Sequence, residues 1–124
     1  MKITSFNPLI VAKDPESVIQ LFEALGFERH HKKEGISEKN ITGIRMKDEN
    51  GFYVDVASGD FLQDRTLIRM NVDNLEEAVA LLTAHGFKRS EMFSETAGSP
   101  SSRFAIMISP SGFVMNIIQH IKEN

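Results

Sequence analysis

The sequence contains one long internal repeat, which sets the architecture of the whole chain. Residues 13–29 read KDPESVIQLFEALGFER, and residues 73–89, sixty positions later, read DNLEEAVALLTAHGFKR. The two segments align without a gap, share the Gly26-Phe27 pair near the end and carry apolar residues at matching helical positions. A repeat of fixed period predicts that each copy is one supersecondary unit. Because two copies fill the 124 residues, we expect two tandem modules.

Composition limits the classes of partner. The chain has a net charge of -3, 25% charged residues and no cysteine. This charge gives no electrostatic reason to bind nucleic acid or an anionic membrane, and the lack of cysteine excludes disulfides and thiolate metal ligands. No apolar run approaches the ~18 residues of a membrane span, and the N-terminus lacks a signal-peptide pattern. We therefore expect a cytoplasmic protein.

Each repeat predicts one helix with clear ends. Asp14 is a good N-cap, Pro15 suits the first helical position, and Gly26 suits the stop. In the second copy Asp73 or Asn74 caps a helix over 75–85. The sequence therefore predicts equivalent helices in the two halves.

Strand-forming segments surround both helices. The predicted strands are 2–12, 28–35, 41–47, 52–57, 66–72, 88–93, 103–108 and 113–121. Each half then has the order β-α-β-β-β, as module 1 (1–60) and module 2 (65–124) of one α+β domain, joined by a linker at 58–65. One sheet with one helix leaves a sheet face exposed, so we expect the modules to pack together.

Two phrases resemble a known superfamily. The segments VDNLEEAVALLTAHGF (72–87) and SPSGFVMNII (109–118), with the tandem βαβββ order, resemble the glyoxalase/bleomycin-resistance/extradiol-dioxygenase (vicinal oxygen chelate) superfamily. Ser109 and Ser111 replace the aspartates of the superfamily's DPDG turn. The resemblance implies a cupped mixed sheet around a cavity, and a homodimer. This fold hosts isomerases, dioxygenases, thiol transferases and drug-binding proteins, so it does not by itself give the function.

The resemblance also implies where a metal would bind. Metal-using members take four ligands, commonly His and Glu, from the first and last strands of each half. The repeat carries these positions onto Asn7, Asp55, Leu67 and Asn116. Leucine has no donor atom and neutral amides bind such ions weakly, which leaves Asp55 as the only ordinary ligand. We therefore expect no metal and no other cofactor here.

Strand alternation extends the candidate site, because side chains change face with period two. Tyr53 shares the face of Asp55, and Arg69 shares that of Leu67. Hairpin turns at Asn50-Gly51 and 109–112 add residues from the neighbouring strands. The candidate ligand-binding residues are Asn7, Thr42, Met46, Tyr53, Asp55, Arg69, Arg103, Met107 and Asn116. The residues expected to pack under the helices are Ile10, Val54, Val56, Ile68, Met70, Val72, Met115 and Ile117.

The charged candidates are open to more than one interpretation. Asp55 and Arg69 would face the same concavity, where they either neutralise each other or leave Arg69 or Arg103 to bind an acidic ligand group. Asp55 is also the one weak candidate for a catalytic base. The polar segment 94–102 reads as a lid or a mobile loop.

Two classes of function follow from these residues. An apolar pocket with arginines favours a metal-independent small-molecule-binding protein that sequesters its ligand or confers resistance. The alternative is a lyase, isomerase or dioxygenase-like enzyme of the same superfamily, with Asp55 as base or residual metal ligand. A scaffold whose own side chains fill the cavity is a third reading. The sequence leaves open whether the cavity closes within one chain or across a homodimer.

Overall fold

The computed structural model describes residues 1–33, 43–90 and 102–120. Its elements are β1 (Ile3–Ala12), α1 (Pro15–Ala24), β2 (Glu28–Lys33), β3 (Gly43–Lys47), β4 (Tyr53–Ser58), β5 (Arg65–Val72), α2 (Leu75–Ala84), β6 (Lys88–Ser90), β7 (Ser102–Ile108) and β8 (Val114–His120). The order is β-α-β-β-β twice, so the predicted α+β class and tandem repeat are confirmed. No helix among the described residues has both the length and the apolar content needed to span a membrane.

Both helices begin where the repeat predicts. The side chain of Asp14 accepts a hydrogen bond from the Ser17 N–H at 3.4 Å, and that of Asn74 accepts from the Glu77 N–H at 3.0 Å. These bonds satisfy N–H groups that the first helical turn leaves without a partner. Each helix ends shortly before the repeated Gly-Phe pair.

The chain divides into two compact units. The first unit is Asn7–Leu67, and the second combines Met1–Phe6 with Ile68–Asn124. The strand order is β2-β3-β4-β1 in one repeat and β5-β8-β7-β6 in the other. Within each repeat the strand before the helix runs parallel to the last strand, and the remaining pairs are antiparallel. The predicted mixed pairing is therefore present in both.

A hydrophobic core lies under each helix. In the first unit the core consists of Ile19, Ile44, Met46, Val54 and Val56. In the second unit it consists of Met70, Val72, Leu75, Ala78, Ala105, Met107, Met115 and Ile117. All the residues predicted to pack under the helices belong to these clusters or pack against them. The sequence thus predicts the faces of β1, β4, β5 and β8 correctly.

The turn between β3 and β4 is one residue longer than an Asn-Gly turn. The Asp48 N–H donates to the Phe52 carbonyl at 3.0 Å, which leaves residues 49–51 as a three-residue loop. Gly51 closes the loop at a φ of 89°, a left-handed conformation that favours glycine. The loop 110–112 between β7 and β8 is closed in the same way, with Gly112 at a φ of 104°.

The longer turn reverses the predicted face of β3. Arg45, rather than Met46, lies opposite Asp55. Because side chains alternate along a strand, a register shift of one residue moves each of them to the other face. Met46 is consequently fully buried in the core under α1, and its predicted placement beside Asp55 is wrong. Thr42 lies outside the described residues.

The same shift reverses the predicted face of β7. Ile106, rather than Met107, lies opposite Asn116. Met107 is fully buried under α2, and Arg103 lies on that same side, where its Nη2 is 3.4 Å from Glu76 Oε1 of α2. The predicted placement of Met107 and Arg103 beside Asn116 is therefore wrong.

Candidate functional site

Asp55 is the centre of the candidate site in the first unit. Its side chain is almost entirely buried, on a β4 position that lies between Leu9 of β1 and Arg45 of β3. The Nε of Arg45 is 2.9 Å from Asp55 Oδ1, and its Nη2 is 3.0 Å from Oδ2. This bidentate geometry is the strongest way to pair a guanidinium with a carboxylate. It offsets the cost of burying the charge of Asp55.

Asn7 of β1 joins this ion pair. Its Nδ2 donates to Asp55 Oδ2 at 2.8 Å and to the Pro8 carbonyl at 2.9 Å, while its Oδ1 accepts from Arg45 Nη2 at 3.1 Å. We call these three side chains and the hydrogen bonds among them the Asn7–Arg45–Asp55 network. The hydrogen bond from Arg45 to Asp55 raises the pKa of Arg45, against a smaller lowering by burial, so the guanidinium stays charged.

A half-buried tyrosine lies beside the network. Tyr53 is opposite Lys47 across β3 and β4. The Cζ of Arg45 is 5.1 Å and the Nζ of Lys47 is 5.4 Å from the centre of the tyrosine ring. The ring of His30 approaches it edge-on, with 6.1 Å between the ring centres. Aromatic rings attract cations at these distances. We call His30, Arg45, Lys47 and Tyr53 the cationic face.

One cation of the cationic face, Lys47, has no salt bridge to any described residue, although Glu28 of β2 lies opposite it in the strand pairing. Arg45 is already neutralised by Asp55. An anionic group is therefore the charged partner that this surface favours.

The donor atoms at the four superfamily metal positions do not fit a divalent metal. Both Asp55 oxygens accept from Arg45, and Asn7 Oδ1 accepts from the same guanidinium. A metal ion on Asp55 would meet the positive charge of Arg45 at short range. Leu67 offers no donor atom at all. Across residues 1–33, 43–90 and 102–120, no group of three His, Asp or Glu side chains is placed to hold a metal.

The same bonds bear on Asp55 as a general base. A base needs an oxygen within reach of the substrate proton. Both Asp55 oxygens accept from charged or amide donors in the Asn7–Arg45–Asp55 network, so a substrate proton would have to reach the remaining lone pairs of an almost entirely buried carboxylate.

The second unit presents a different set of polar side chains at the equivalent strands. Arg69 of β5 lies next to Asn116 of β8. Asn71, two residues further along β5, is 6% exposed, and its Nδ2 is 3.4 Å from His120 Nε2. The Oδ1 atoms of Asn71 and Asn116 are buried and accept no hydrogen bond from any described residue. We call Arg69, Asn71, Asn116 and His120 the amide face.

The structure brings some predicted site residues together and adds one that sequence reasoning missed. Asn7, Tyr53 and Asp55 share a face in the first unit, as expected, and their ligand-binding role stays a prediction. Arg45 is the missed member. A buried carboxylate requires a cationic partner. The signal that could have found Arg45 is the segment DENG (48–51), which also fits a three-residue loop that ends in glycine. A loop of that length places Arg45 opposite Asp55.

Comparison with known proteins supports the fold. No family model matches the sequence, and no curated protein matches it. Methylmalonyl-CoA epimerase from Mycobacterium tuberculosis superposes with a TM-score of 0.69 at 14% identity, covering 97% of this chain and 90% of that chain. The Streptomyces coelicolor methylmalonyl-CoA epimerase in complex with 2-nitronate-propionyl-CoA gives 0.63 at 14% identity, covering 98% and 100%.

A third similar structure belongs to a protein that is described as a member of this superfamily. A glyoxalase/bleomycin resistance protein/dioxygenase superfamily member from Vibrio splendidus superposes with a TM-score of 0.58 at 13% identity, covering 95% of this chain and 99% of that chain. At such identities the likeness concerns the fold. The chain therefore has the glyoxalase/bleomycin-resistance fold, which confirms the fold that the sequence resemblance implied.

Proposed function

We propose that this chain is a metal-independent binding protein for a small anionic molecule, which it holds at the cationic face without turnover. The observation that carries the proposal is the bidentate Arg45–Asp55 pair. Asp55 is the one ordinary metal ligand left at the four superfamily positions, and a guanidinium binds both of its oxygens. The guanidinium of Arg45 is thus bound to the carboxylate of Asp55, which a metal ion would need as its ligand.

The chemistry of the cationic face supports a flat acid as ligand. Lys47 adds a positive charge beyond the neutral Arg45–Asp55 pair, and Tyr53 offers a half-buried ring. Pockets for small molecules combine apolar surface with a few oriented polar groups. An aromatic carboxylate supplies both a ring to pack on Tyr53 and a charge for Lys47.

A role in catalysis has less support from the residues. The epimerases share the fold at 14% identity, which does not extend their activity to this chain. Asp55 is almost entirely buried and both of its oxygens already accept from Arg45 or Asn7, which limits the access of a substrate proton to this carboxylate. The expected homodimer belongs to the same proposal and is checked by light scattering of the purified chain.

Benzoate and methyl benzoate test the proposal as a matched pair of probes, because only benzoate carries a charge. In a titration followed by two-dimensional NMR, we expect millimolar benzoate to shift the backbone amide signals of β3 and β4 and the ester to shift them far less. Lys47→Gln should weaken benzoate binding by about threefold to tenfold, which is the loss expected when one partly exposed ion pair is removed.

The control is Lys88→Gln, which removes an exposed lysine from β6 in the second unit. This variant should bind benzoate like the parent chain. Equal binding of benzoate and its ester, or equal weakening by both lysine variants, would contradict a specific anion site on the cationic face.

A further inference from the structure

Two buried amide oxygens on the amide face have no donor among the residues that the structure describes. The Oδ1 atoms of Asn71 and Asn116 accept no hydrogen bond from any part of the chain that the structure describes. Asn71 is 6% exposed, and its Nδ2 is directed to His120 Nε2 at 3.4 Å, which leaves Oδ1 as the free acceptor. Buried acceptors without a donor are rare, because each forfeits its bonds to water.

The first copy of the repeat does not leave a buried acceptor without a donor at either of these two positions. Asn116 occupies the position of Asp55 in the first unit, where Arg45 on the neighbouring strand donates two hydrogen bonds. Ile106 takes the place of that arginine opposite Asn116, so β7 offers no donor side chain there. Asn71 aligns with Val11, an apolar residue, in the first copy of the repeat. At the position of Asn71 an apolar side chain therefore suffices in the first copy, and at the position of Asn116 the first copy supplies a donor that the second copy lacks.

The neighbouring charge narrows the chemistry of a partner. Arg69 lies next to Asn116 in the parallel pairing of β5 and β8. A positive side chain at the paired position on the neighbouring strand disfavours an ammonium group and tolerates a neutral donor. A carboxamide N–H or a hydroxyl supplies a hydrogen to an amide oxygen without adding charge.

We propose that the amide face is a binding site for a neutral hydrogen-bond donor, a carboxamide or a hydroxyl, whose hydrogen bonds Asn71 Oδ1 and Asn116 Oδ1 accept. This inference extends the proposed function and rests on it, because it assumes that the chain binds small molecules. It adds a second chemistry, in a different unit from the cationic face.

Stability measurements separate a binding role from a structural one. Gln119, on the same strand as Asn116, has its Oε1 bound to the Leu75 N–H at 2.8 Å, so Gln119→Leu should lower the melting temperature. Asn116→Leu removes an acceptor that has no donor among the described residues, so its melting temperature should hold or rise. Asn71→Leu also removes the contact of Nδ2 with His120, so its melting temperature should fall by less than that of Gln119→Leu. A drop in both variants as large as that of Gln119→Leu would show a structural role and overturn the proposal.

Binding measurements use benzamide and N,N-dimethylbenzamide, which differ in their amide hydrogens. Millimolar benzamide should shift the side-chain amide NMR signals of Asn71 and Asn116. Each leucine variant should weaken the binding of benzamide by up to about tenfold. The dimethyl compound should leave these signals in place. Equal shifts with both compounds, unchanged benzamide binding in both leucine variants, or no shift with benzamide would overturn the proposal.

The two proposals fail separately in these experiments. Benzoate binding reports on Lys47 and Tyr53 in the first unit, whereas the benzamide shifts report on Asn71 and Asn116 in the second. If benzamide causes no shift while benzoate still binds, only the proposed donor site on the amide face is refuted.

Discussion

Arg45 and Asp55 face each other across β3 and β4 and are joined by two N–H···O bonds of 2.9 and 3.0 Å. Their pairing has a structural and a functional consequence. It matches the register set by the three-residue turn, since a shift of one residue would separate the two charges. It also engages the only ordinary metal ligand among the four superfamily positions.

Removing Arg45 should leave an unpaired buried charge. We expect Arg45→Met to lower the free energy of unfolding by about 3 kcal/mol, the lower end of the range for broken buried pairs, because the side chain of Arg45 is partly exposed. Replacing both partners, as Arg45→Met with Asp55→Leu, should recover most of the loss. Urea denaturation at neutral pH measures both values.

The pH dependence of the single variant provides a control. Without the guanidinium, burial favours the protonated form of Asp55, so the stability of Arg45→Met should rise as the pH falls. The unmodified ion pair should instead be lost as the carboxylate becomes protonated in acid. A cost below about 1 kcal/mol that does not vary with pH would mean that the pair contributes little.

The turn before β4 should be sensitive to the backbone conformation at Gly51 and tolerant of a shorter loop. Gly51→Ala should cost about 1 kcal/mol, because alanine is strained at a φ of 89°. Deleting Glu49 would leave the two-residue loop Asn50-Gly51 between Asp48 and Phe52 and keep Arg45 opposite Asp55, so we expect cooperative unfolding to persist. Glu49→Ala, at an exposed position, should change stability by less than about 0.5 kcal/mol. Loss of cooperative unfolding in the deletion variant would contradict the pairing of Asp48 with Phe52 on either side of the loop.

The cap of α2 should contribute measurably to stability. Asn74→Ala removes the acceptor for the Glu77 N–H and should cost about 1 kcal/mol in denaturant unfolding. Asn74→Asp keeps a capping oxygen and should retain most of that stability. Equal losses in the two variants would indicate that the cap bond is not the cause.

Arg103 should not take part in anion binding at the cationic face. It lies on the side of α2, half-exposed, with an exposed Glu76 as its salt-bridge partner. Arg103→Gln should change stability by less than about 0.5 kcal/mol and leave benzoate binding unchanged. Loss of benzoate binding in this variant would restore the ligand role that the sequence suggested for Arg103.

The sequence predicted those faces for which alternation alone was needed. Val54, Val56, Met115 and Ile117 pack under the helices as their spacing indicates, because β4 and β8 could be aligned through the repeat. The placement of β3 depended instead on the length of one turn, and an error of one residue exchanged Met46 for Arg45. Turn geometry therefore decided whether the partner of Asp55 was found.

The acceptors of the amide face show a second limit of sequence reasoning. Alternation placed Asn71 on the same side as Arg69, which the structure supports. Whether an amide oxygen has a donor depends on the side chains of neighbouring strands. For Asn116 the residue in question is Ile106, on the strand whose face was predicted wrongly.

Metal binding tests the central claim most directly. Bound metal is measured in protein purified without a tag, together with the thermal shift caused by Ni²⁺, Mn²⁺, Zn²⁺ and Fe²⁺. Because a specific metal would stabilise the folded chain by mass action, we expect neither stoichiometric metal nor a shift in melting temperature at modest concentration. Stoichiometric metal that is lost in Asp55→Ala would contradict a metal-independent site.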